Sequence, residues 1–148
     1  MSRGIRFKKL WFDEDLTELE ITTSDGESTF RSRVYTSHEN LNEIINGLVA
    51  FKGHLHGGIY DIRLGAIGPE FARGAFHARL HFHKLGRGRL FITVMAESEW
   101  LDFTVTKVAN RCTLHLISEP SLLDNFIDEL KRLQHGATDE AFLALASP

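Results

Sequence analysis

Phe76-His77-Ala78-Arg79-Leu80-His81-Phe82-His83 decides the fold class. Apolar and polar residues alternate through all eight positions. In a strand, successive side chains point to opposite faces, so Phe76, Ala78, Leu80 and Phe82 go to a core. His77, Arg79, His81 and His83 then share the other face. Gly86-Arg87-Gly88 follows as a hairpin turn, and residues 90–96 return as a second strand. Strands joined by so short a turn pair antiparallel.

The same reasoning extends outward. Toward the N-terminus, Leu10-Trp11-Phe12 opens a first strand, and Leu19 and Ile21 alternate with Glu18, Glu20 and Thr22. Ser24-Asp25-Gly26 is a turn signal, and residues 29–35 follow as a strand with Phe30, Ser32 and Val34 on one face. Ser37 has the chemistry of a helix N-cap, and Leu41, Ile44, Ile45 and Leu48 follow at helical spacing. That helix runs to Phe51 and ends near Gly53. After a glycine-containing loop, Tyr60, Ile62 and Leu64 alternate again. Residues 65–74 are irregular, with Pro69 as a breaker. Toward the C-terminus, residues 103–108 and 112–117 form a hairpin around Ala109-Asn110. Ser121 then caps a last helix whose apolar stripe is Leu122, Leu123, Phe126, Ile127, Leu130 and Leu133, stopped by Gly136.

The pattern predicts an α+β fold, an antiparallel β-sheet meander of about seven or eight strands covered by two amphipathic helices. It places a single domain over residues 1–136. Residues 137–148, with Phe142, Leu143 and Leu145, form a short helix or a loose tail.

The chain has 148 residues, enough for one domain with a core of its own. Its net charge of −3 argues against a general nucleic-acid binder. No apolar run approaches the ~18 residues that span a bilayer, so no membrane segment is expected. The single cysteine, Cys112, excludes an internal disulfide and suits a reducing, cytoplasmic setting. No phosphate loop or dinucleotide motif occurs, and no cofactor is expected. Ser98 has no nucleophile elbow around it, and Cys112 shares a predicted strand face with Leu114 and Leu116.

Two groups of residues carry chemistry. The histidines include two His-x-His pairs, His54/His56 and His81/His83, each able in principle to offer two ligands to one metal. Arg79 on the same face as His81 and His83 opposes a dication, and no carboxylate lies in that strand to complete a ligand set, so no metal is expected. The second group is acidic: Asp13, Glu14, Asp15, Glu18 and Glu20, beside Trp11. Clustered carboxylates raise the association rate with a basic partner. Trp11 and Trp100 are anchor residues if exposed, although a core position is the ordinary place for a tryptophan.

The order of segments resembles the WapI-type immunity proteins, small bacterial proteins that neutralise the C-terminal domain of a polymorphic toxin. The residues that carry the likeness are Glu18-Leu19-Glu20-Ile21, residues 28–35 (Ser-Thr-Phe-Arg-Ser-Arg-Val-Tyr) and the helix after Ser37. Near the end, residues 103–107 and 112–116 lead into Glu119-Pro120-Ser121-Leu122-Leu123-Asp124-Asn125-Phe126. The likeness spans residues 8–135. It implies a cytoplasmic, non-catalytic binding protein whose partner is a toxin domain. Two other readings stand beside it: a small histidine-based metal- or ligand-binding domain, and a subunit that associates with itself as a homodimer.

Overall fold

The computed structural model describes residues 2–68, 73–84 and 88–147. The break expected at Pro69 and the turn expected at Gly86-Arg87 lie outside the described residues. The chain is α+β. Its strands are β1 (Gly4–Phe12), β2 (Leu16–Ser24) and β3 (Thr29–Ser37), followed by helix α1 (His38–Phe51). Next come β4 (Ile59–Leu64), β5 (Arg73–Phe82), β6 (Leu90–Glu99), β7 (Leu101–Phe103), β8 (Thr106–Val108) and β9 (Arg111–Ser118). Helix α2 (Pro120–Gln134) and strand β10 (Glu140–Ala144) close the order.

Pairing is antiparallel throughout, but the strands form two sheets and a small hairpin rather than one meander. One sheet has the order β10-β1-β2-β3 and the other β4-β5-β6-β9, while β7 pairs only with β8. Among the described residues there are thus ten strands, more than the seven or eight expected. The extra ones come from two places. The segment after Gly136 does not form the short helix or loose tail expected: its residues 140–144 are β10, which lies along β1, with Phe7 opposite Ala141 and Ile5 opposite Leu143. Ala141 and Leu143 point into the core, which is what a period of two produces and a helical stripe does not.

The other difference is the hairpin around Ala109-Asn110. Residues 101–108 fold on themselves as β7 and β8, and β9 pairs instead with β6, Val94 opposite Leu114. The chain reverses at Thr104, which takes the left-handed conformation at φ 59°. That is a turn made by a residue that advertises no turn. The ends of the excursion are held where Ser98 N donates to the Asn110 carbonyl and Asn110 N donates to Ser98 Oγ, both at 2.9 Å.

Both helices lay their apolar stripes on the core faces of the sheets. Ser37 accepts from Asn40 N at 3.0 Å, as an N-cap should. Ser121 does not cap α2. Its N-cap is Glu119, which makes no side-chain cap bond, and Pro120 opens the first turn, where a missing N–H costs nothing. Gly136, at φ 80°, ends that helix as expected, with its amide donating to Leu133. The two sheets and two helices enclose one core. Phe7 of the first sheet stands edge-on to Phe76 of the second at 5.6 Å and to Phe126 of α2 at 5.4 Å. Phe51 of α1 stacks on Phe82 of β5 at 4.7 Å.

Candidate functional site

With the apolar sides of both sheets turned inward, their outer faces carry whatever chemistry the chain offers. On the first sheet, Leu19 and Ile21 are buried and Glu18 and Glu20 face out, as the alternation requires. A bulge in β1 then changes one residue's fate. The register against β2 shifts between Lys9 and Trp11, so that Trp11 stands opposite Glu18 and Phe12 opposite Thr17. One extra residue inverts the parity of the strand beyond it, which turns Trp11 from the core side to the outer side. Trp11 is 49% exposed, so the ordinary core reading of this tryptophan is corrected.

Glu18 is in turn opposite Tyr35 on β3, so Trp11, Glu18 and Tyr35 form one cross-strand row. The neighbouring Glu18 carboxylate, which favours the protonated phenol, and the negative charge of Glu99 raise Tyr35 above its ordinary pKa. Sequence reasoning had no reason to single out Tyr35. Its signal was a position on the same face as Arg31 and Arg33.

The five carboxylates are not one acidic surface. Glu20 lies between Arg31 at 3.7 Å and Arg33 at 3.8 Å. Asp13 builds the β1–β2 turn: its Oδ1 accepts from Asp15 N and Leu16 N, both at 2.8 Å. Those two amides, Leu16 first, hold the Asp13 carboxyl below its usual range. His38 Nε2 closes the turn by donating to the Asp13 carbonyl at 2.7 Å. Glu14 and Asp15 remain exposed at the turn.

Trp100 lies between β6 and β7 and is 42% exposed, which corrects the core reading here too. Lys107 of β8 sits over its ring, 3.9 Å from the centroid. Beyond it, Leu101, Phe103 and Val105 of the small hairpin are all exposed, Val105 at 98%. Glu99, which immediately precedes Trp100, is one of the charges that raise the Tyr35 phenol.

The outer face of the second sheet is different in kind. Three cross-strand rows cover it. The first is Ile59, His81, Phe91 and Ile117, with the rings of His81 and Phe91 stacked at 5.5 Å. The second is Asp61, Arg79, Thr93 and His115. Arg79 grips Asp61 with both arms, at 2.8 and 3.0 Å, and Arg63 reaches the same carboxylate at 3.3 Å. The bond from Arg79 is the main reason the Asp61 carboxyl is held below its usual range. The third row is Arg63, His77, Met95 and Thr113, with His77 Nε2 donating to the Gly65 carbonyl at 2.8 Å.

The predicted histidines divide. His77 and His81 face out with Arg79, but β5 ends at Phe82 and His83 lies beyond it. The loop holding His54 and His56 runs alongside, where Phe82 N donates to the Gly58 carbonyl at 3.0 Å. Among the described residues, no group of three or more His, Cys, Asp or Glu is placed to hold a metal ion. Cys112 is half-buried, and burial pushes its thiol up, away from the reactive thiolate. Glu97 is fully buried and fully used. It accepts from Gly68 N at 3.2 Å and from Arg111 Nε. No helix among the described residues is long and apolar enough to cross a membrane.

Comparison of the chain with protein-family models, with curated proteins and with solved structures finds no match.

Proposed function

We propose that this chain is a non-catalytic binding protein of the immunity type, acting in the cytoplasm, which neutralises a toxin domain by docking on it. One observation carries the reading. Trp11, Glu18 and Tyr35 form one row across the first sheet, in which both rings are exposed, and Trp100 is exposed as well. Rigid aromatic side chains set among carboxylates have the anatomy of an interface: large anchors that desolvate, with charges around them that choose the partner. The partner that fits is a surface with apolar pockets and basic groups between them. A toxin domain that acts on nucleic acid carries such basic groups. Glu14 and Asp15 add negative charge at the β1–β2 turn, where it steers association rather than holding the complex.

Co-expression tests the proposal. A candidate nucleic-acid-cleaving toxin domain is produced with the wild type or with a variant carrying Trp11→Ala and Trp100→Ala. Growth restored by the wild type and lost with the soluble, folded variant is the expected result. A wild type that neither restores growth nor binds the domain overturns the proposal.

A further inference from the structure

The outer face of the second sheet is distinct from the docking row and carries an inference independent of it. We propose that this face is a two-fold interface between two copies of the chain. The three rows place twelve side chains on this face. That is about half of the roughly 20–30 residues a side of a standard interface, which sets the expectation of a weak, reversible dimer. Ile59, Met95 and Ile117 are exposed on it, one at each edge and one between, with the His81–Phe91 stack in the same layer.

Charge selects the occupant. A two-fold contact brings residue i of one copy to residue j of the other and j to i, so a self-complementary face needs both signs on it. Asp61 and Arg63 supply them two residues apart on β4, with Arg79 opposite Asp61 on β5. The Asp61 carboxylate already neutralises one of the two guanidiniums. The surplus is therefore about one positive charge at a pH where the histidines are neutral, too little for a nucleic-acid backbone. The same near-balance, with aliphatic side chains at both margins, suits a second copy.

Sedimentation equilibrium at pH 8, from about 5 to about 500 µM, reads the result directly, because a modest interface dissociates in that range. The mass is expected to rise from that of one chain, 16.8 kDa, toward twice that value. Met95→Glu and Ile117→Glu, each with an unchanged circular dichroism spectrum, hold the chain as a monomer throughout. Both side chains reach solvent, so a carboxylate at either site can stay hydrated in the monomer. A wild type that is monomeric at every concentration overturns the proposal. So does a dimer that survives both substitutions, or one that is lost with Trp11→Ala and Trp100→Ala instead.

Discussion

Gly74 is the residue with the least freedom to change. It sits at φ 88°, and a Cβ there would stand 1.9 Å from the Arg33 carbonyl oxygen of β3. Only glycine lets the backbones of the two sheets meet at this point. Gly74→Ala is expected to cost about 2–4 kcal/mol, from the left-handed backbone and the overpacking together, read as a lower denaturant midpoint at equilibrium. Asp61 gives a prediction in pH. Its folded pKa lies below the unfolded value, so its contribution is fully present above about pH 4 and is lost as the pH falls through the lowered folded value. Wild type therefore loses stability more steeply than Asp61→Asn across that window, by a small margin because the pair is partly exposed. Equal slopes in acid titrations of the two proteins would remove the Arg79–Asp61 pair from the stability of the fold. At this scale the sequence was a good guide to what alternates and a poor one to what interrupts. Glu18 and Glu20 face out opposite Leu19 and Ile21, as a period of two demands. The exposure of Trp11 follows from a bulge whose register lies in the partner strand and not in any local residue.

The elements were legible where their signal is local. The Ser37 cap, the stripes of α1 and α2 and the Gly136 stop can all be read from neighbouring residues, and the structure has each of them. Three features were not legible. β10 is five residues long and finds its identity by pairing with β1, more than a hundred residues away in sequence. The β7–β8 hairpin turns at Thr104, with neither glycine nor asparagine at its reversal. The division into two sheets depends on which strand β9 chooses, a long-range choice that periodicity does not encode. Phe126 tests the helix packing. It is buried in edge-on contact with Phe7, and Phe7 also meets Phe76, so Phe126 joins α2 to the ring cluster in which the two sheets meet. Phe126→Ala is expected to cost about 3–5 kcal/mol in thermal or chemical unfolding. A loss below about 1 kcal/mol would mean that α2 is not integral to this core.

For the whole molecule, the α+β class and the antiparallel pairing follow from the alternating runs, because a buried face must be covered and two amphipathic stripes are there to cover it. The candidate site was only half legible. The sequence pointed to Trp11, Trp100 and the acidic residues, but not to Tyr35, nor to the arginines that occupy Glu20. A docking surface is assembled from strands that are neighbours only in the fold, so its composition appears once the register is known. Neutralising Glu14 and Asp15 should slow association with a basic partner several-fold at low salt and little at high salt, as stopped-flow mixing would show.

The central claim is that the aromatic row and Trp100 together form the docking surface. Calorimetric titration of the purified toxin domain into this protein tests it most directly, with wild type and the Trp11→Ala, Trp100→Ala variant side by side. The account predicts a saturable complex, weakened by about thirtyfold or more in the variant, the loss of roughly 2 kcal/mol expected when anchor residues are truncated. No heat of binding with wild type, or an affinity that the two substitutions leave unchanged, would contradict it.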